Sequence, residues 1–124
     1  MDMNLGNFSV SLAVKDMAAA RDFYTALGFE PAGGDGQRVQ IMRNGTTTIG
    51  LFHGLFERNV LTFNPGWDAE GAPLAAFTDV RELKQRLHEQ GIESVTATEA
   101  APTGPASFLI VDPDGNPILI DQHV

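Results

Sequence analysis

From Phe8 to Val14 the chain alternates strictly, with Phe8, Val10, Leu12 and Val14 on one side and Ser9, Ser11 and Ala13 on the other. A period of two marks a β-strand with one buried face. The second face carries only small side chains, where a strand facing water carries long polar ones. This predicts a surface curving over a cavity. The period then turns helical, with Met17, Ala20, Phe23, Tyr24 and Leu27 forming a stripe expected to be core. Asp16 stands where an N-cap belongs, and Gly28 where a left-handed residue ends a helix.

The same pattern recurs 63 residues later. Asp79 and Gly91 bracket a second helix whose core stripe is Val80, Leu83 and Leu87, and Glu82 completes a capping-box-like Asp-x-x-Glu. Each helix is preceded by a predicted strand, Phe8 to Val14 in the first half and Pro73 to Phe77 in the second. Each is followed by three more. In the first half these are Phe29 to Ala32, Val39 to Arg43 and Thr46 to Phe52, the last two joined by the hairpin signal Asn44-Gly45. In the second they are Glu93 to Thr98, Ser107 to Val111 and Pro117 to Asp121, with Asp112-Pro113-Asp114-Gly115 fitting a type I turn. The expectation is a single domain, 1–124, of two βαβββ modules, 8–53 and 73–123, linked by residues 54–72.

Composition narrows the partners. Sixteen acidic against eight basic residues give a net charge of −8, the wrong sign for nucleic acid or an anionic membrane. With no cysteine, disulfides, thiolate zinc sites and cysteine nucleophiles are excluded. No signal-peptide pattern or membrane-length apolar run is present, so a cytoplasmic protein is expected. Gly33-Gly34-Asp35-Gly36 is too irregular for a phosphate-binding fingerprint.

Two βαβββ repeats carrying Val14-Lys15-Asp16-Met17, Phe23-Tyr24-Thr25-Ala26-Leu27-Gly28-Phe29 and Asp112-Pro113-Asp114-Gly115-Asn116 resemble the vicinal oxygen chelate superfamily of glyoxalases, bleomycin-resistance proteins and extradiol dioxygenases. The resemblance implies an α+β fold in which the two tandem modules form a half-open eight-stranded barrel around a cavity, assembled as a homodimer. In the metalloenzymes of that superfamily His and Glu side chains hold a divalent cation, which chelates vicinal oxygens of the substrate. Carried onto this chain, the four ligand positions are Ser9, Gly50, Pro73 and Leu119. A one-residue slip at the middle two offers only Ile49, Leu51, Ala72 or Leu74. A serine hydroxyl is a poor ligand for transition metals and the others offer none, so no metal cofactor is expected.

If Ser9 faces the cavity, alternation places Ser11, Gly50, Phe52, Phe77, Leu119 and Asp121 there too. The aromatic segment between the modules adds Phe63 and Trp67 as an edge cover, an interface or a lid. That wall is apolar and aromatic, with few polar points. The leading expectation is a metal-free protein resembling bleomycin-resistance proteins, binding a cationic or aromatic small molecule. The alternative is a glyoxalase I- or dioxygenase-like lyase or oxygenase with displaced metal ligands drawn from His53, Asp121 and His123. A metal-independent isomerase or lyase is a third reading. His88 is expected on the solvent face of the second helix, without a role.

Overall fold

A computed structural model of the chain describes residues 3–96 and 101–124. The fold is mixed α+β, with seven strands and two helices among the described residues. None of those helices is long and apolar enough to cross a membrane. The chain divides into two compact units, Ser9–Val60 and Met1–Phe8 with Leu61–Val124.

The first unit holds most of β1 (Asn7–Val14), then α1 (Met17–Ala26), β2 (Glu30–Gly33), β3 (Val39–Asn44) and β4 (Thr47–His53). Its strands lie in the order β2-β3-β4-β1. β1 runs parallel to β4 with Ser11 opposite Gly50, and β3 and β4 form an antiparallel hairpin with Asn44 opposite Thr47. Gly45 takes the positive φ of 60° that this tight turn requires. The Asp16 side chain caps α1 by accepting from Ala19 N at 3.0 Å, and Gly28 turns the chain out of the helix with φ 95°. Met17, Met42 and Leu51 form the buried centre, with Leu12, Val14, Ala20, Tyr24, Phe29 and Ile49 packed on it.

The expected core stripe of α1 is too wide by two residues. Phe23 is 63% exposed and Leu27 56% exposed. At 100° per residue Phe23 lies about 120° round the helix from Met17, outside the arc that meets the sheet.

The second unit contains β5 (Val60–Asn64) from Leu61 onward, α2 (Val80–Glu89), β6 (Ala106–Val111) and β7 (Pro117–Gln122), its strands in the order β5-β7-β6. As β1 does with β4, β5 runs parallel to β7, and β6–β7 is an antiparallel hairpin closed by the Asp112–Gly115 turn. Val80, Leu83, Ala106, Phe108 and Ile120 form its core.

Three expectations for this half change. The strand before α2 is Val60–Asn64, inside the stretch read as a connector, and Pro73 to Phe77 makes only an isolated bridge, Pro73 with Trp67. Proline has no N–H for a ladder, whereas Val60–Asn64 alternates in burial and carries the strand formers Val60, Thr62 and Phe63. The strand expected at Glu93 to Thr98 runs past the described residues; up to Thr96 the chain forms no strand, although Val95 N donates to Leu109 O at 2.8 Å. Glu82 does not close a capping box: it pairs with Arg86 one turn on at 3.1 Å, while Asp79 caps the helix through Arg81 N.

The chain between β5 and α2 is tightly built. Asn64 Oδ1 accepts from Gly66 N at 3.1 Å, and Trp67 N donates to Asn64 O at 3.3 Å, closing a turn over Pro65 and Gly66. Asn7 anchors the end of this turn, its backbone N–H bonding Trp67 O at 3.0 Å and its amide bonding Asp68 O at 2.9 Å. Asp68 Oδ1 then accepts from Glu70 N and Ala72 N.

Candidate functional site

The strands of each unit have one face against its helix, and alternation assigns the other. In the first unit Leu12, Val14, Ile49 and Leu51 pack with α1. Ser9, Ser11, Ala13, Gly50 and Phe52 therefore share the opposite face, as expected. Gly50 lies between Ser11 on β1 and Ile41 on β3. The Phe52 ring folds back over it, so a Cβ built on Gly50 meets Phe52 Cε2 at 2.6 Å. Phe56 meets that ring edge-on, 5.0 Å between centroids. His53 ends β4 on the surface.

In the second unit Phe63 joins Ile118 and Ile120 against the core beneath α2. Phe63 is thus a helix-side packing residue, because its register with Ile120 puts it on that face. Thr62, Leu119, Leu109, Ser107 and Asp121 lie on the other face, Thr62 paired with Leu119 and Ser107 with Asp121. Phe77 lies off any strand, 38% exposed, its ring tip 3.6 Å from a Cβ built on Gly66. Thr62 and Ser107 are absent from the expected set. Thr62 was hidden by the misplaced strand, and only the hairpin register could have found Ser107.

One cluster carries chemistry. Two residues apart on an extended chain, Asp121 and His123 project to the same side, and His123 Nε2 meets Asp121 Oδ2 at 2.8 Å. Trp67, brought by the turn after β5, sets its ring 4.8 Å from the His123 ring at 57°. Beside them opens a cleft of about 360 Å³ lined by Pro105, Ala106, Ser107, Asp121, Gln122 and His123. The hydrogen bond to Asp121 raises the His123 pKa above its ordinary value; partial burial opposes this and the Asp121 charge adds to it. Neutral His123 then carries its proton on Nε2, toward Asp121, and offers Nδ1 as an acceptor. A larger cleft, about 440 Å³, lies on the helix side between α2 and β6, with Arg81, Lys84, His88 and Phe108 among its walls. Within it His88 is hydrogen-bonded to Glu93 and largely exposed, as expected of a solvent-face residue.

Protonated imidazole quenches indole emission more strongly than neutral imidazole. Emission from Trp67, the sole tryptophan, is therefore expected to rise as pH passes upward through the elevated His123 pKa. The step should vanish in His123→Ala, which a fluorescence titration from about pH 5 to about pH 9 checks. Linkage has the matching sign: the His123–Asp121 contribution to stability is full below the unfolded pKa and lost as pH rises through the folded one.

Both units have the same plan, paired strands with one helix packed on one face, the opposite face carrying serines, Gly50 and Phe52 in the first unit and Thr62, Ser107, leucines and Asp121 in the second. The family model described as Glyoxalase/Bleomycin resistance protein/Dioxygenase superfamily matches residues 8–120, and the chain belongs to that superfamily. No curated protein matches it. Among solved structures it is similar to a superfamily member from Vibrio splendidus 12B01, at 16% identity over 94% of this chain and 97% of that one, TM-score 0.63. It is also similar to methylmalonyl-CoA epimerase from Mycobacterium tuberculosis, at 18% over 100% and 93%, TM-score 0.65. A third, described as NAD-dependent benzaldehyde dehydrogenase from Legionella pneumophila, gives 19% over 94% and 99%, TM-score 0.70. Such likeness establishes the fold and leaves the reaction open.

The metal that the superfamily implies does not fit the residues present. On β1 the position is Ser9, on β4 Gly50 and on β7 Leu119. Because β5 replaces the expected strand, the remaining position moves from Pro73 to Val60 or Thr62, an alkyl or a hydroxyl group. This set supplies no imidazole, carboxylate or thiolate. The displaced set does not assemble either. Asp121 and His123 pair, and among the described residues no three His, Asp or Glu side chains form a group able to hold a metal ion.

Proposed function

We propose that this chain is a metal-independent small-molecule-binding protein that takes a flat, cationic aromatic compound against Trp67 and Asp121. The observation that carries this reading is the Asp121–His123–Trp67 cluster beside its cleft. An indole face and a carboxylate together suit a delocalised cation, through stacking, cation–π attraction and charge. The net charge of −8 acts in the same direction at longer range. A cytoplasmic homodimer belongs to the same proposal.

Protonated His123 competes with a cationic ligand for Asp121. Affinity for a cationic acridinium dye, read by Trp67 emission, should therefore tighten as pH rises through the His123 pKa. Asp121→Asn should weaken binding about tenfold at about pH 8 and flatten the pH dependence. An uncharged dye of the same shape binding equally well at all pH values contradicts the role given to Asp121.

A further inference from the structure

The poor fit to a metal has a structural counterpart on β4. Gly50 is a buried strand residue whose φ is not positive, so its backbone suits any side chain. What a side chain there lacks is room. Its Cβ meets Phe52 Cε2 at 2.6 Å and Phe52 Cδ2 and Cζ at 3.4 Å. Ser11 and Ile41 flank Gly50 on the neighbouring strands, and Phe56 backs the Phe52 ring. Resting on the metal-independent reading, we infer that Phe52 is a specificity determinant that bars metal from this face. Its ring fills the space a ligating side chain at position 50 needs, and puts an aromatic surface there instead. Restoring a carboxylate at 50 requires moving the ring off the glycine and off Phe56.

The sign of one substitution tests the packing. In an unobstructed strand, alanine for glycine raises the melting temperature by about 2–4 °C. Here Gly50→Ala should lower it by about 4 °C or more. In a Phe52→Leu background, or Phe52→Ala if leucine still crowds the site, the same change should raise it. Additive behaviour across the cycle overturns the inference. For the consequence, Ser9→His with Gly50→Glu places two donors in the first unit, Ser9 being two residues from the direct partner of Gly50. Nickel(II), titrated calorimetrically, should bind this double variant at least tenfold more weakly than the triple variant that also carries Phe52→Ala. Equal affinity in the two, tight or negligible, overturns it. Failure of wild type to bind the acridinium dye sinks the binding proposal and leaves these comparisons standing.

Discussion

Gly6→Ala is expected to cost about 3 kcal/mol or more, lowering the melting temperature by about 10 °C. Gly6 has φ 74°, which by itself costs an alanine about 1–2 kcal/mol. The larger part is contact. An alanine Cβ there sits 2.0 Å from Asn64 O and 2.7 Å from Pro65 Cα, both backbone atoms that no rotamer change can move. Relief requires shifting the Asn64–Pro65 turn that delivers Trp67, so Trp67 emission should change along with stability. Gly45→Ala is the control, since its φ is 60° and nothing lies within 4 Å of the added Cβ. It should cost only the conformational part. Equal melting temperatures for the two variants contradict the close approach at Gly6.

Gln122→Leu is the second large effect, at about 3 kcal/mol by thermal or urea unfolding. Gln122 is 2% exposed and ties three pieces of chain together. Its Oε1 accepts from Val80 N, the first residue of α2, at 2.7 Å. Its Nε2 lies 2.9 Å from Val124 O, 3.0 Å from Gly104 O and 3.2 Å from Asp79 Oδ2. Leucine of similar size fills the space and leaves a buried N–H without its acceptor, which costs more than the bond was worth. Burial acts to raise the Asp79 pKa, but hydrogen bonds from Arg81 and Gln122 and the Arg81 charge outweigh it and hold the group low. A lowered carboxylate pKa gives stability that is present above the unfolded value and lost as pH falls through the folded one. Removing the Gln122 bond narrows that difference, so acid unfolding of Gln122→Leu should begin at higher pH. A variant as stable as wild type shows that the bonds are satisfied otherwise.

These positions also show what could be read along the chain. Asp16, Gly28, Asn44-Gly45 and the Asp112–Gly115 turn act within a few residues of themselves, so their roles were visible in order. The pairing of Asp121 with His123 also follows from spacing, since residues two apart on an extended chain share a side. β5 was misplaced because the first half joins strand to helix almost directly. In the second half, residues 65–78 intervene, folded by short-range bonds to Asn64 and Asp68 and held by long-range bonds from Asn7. The same displacement put Phe63 in the expected cavity and left Thr62 out. Gln122 bridges to Asp79 and Gly104 only after folding, and Trp67 meets His123 only through the turn. Nothing local announces either contact.

The absence of any imidazole or carboxylate at Ser9, Gly50, Val60 or Thr62, and Leu119 leads to one comparison. Acridinium dye binding, read by Trp67 emission, is measured on protein treated with chelator and again after saturation with nickel, zinc, manganese or iron(II). The proposed binder gives the same affinity in every case and takes up no stoichiometric metal. Binding that requires metal, or tight one-to-one metal uptake that disappears in His123→Ala, contradicts it.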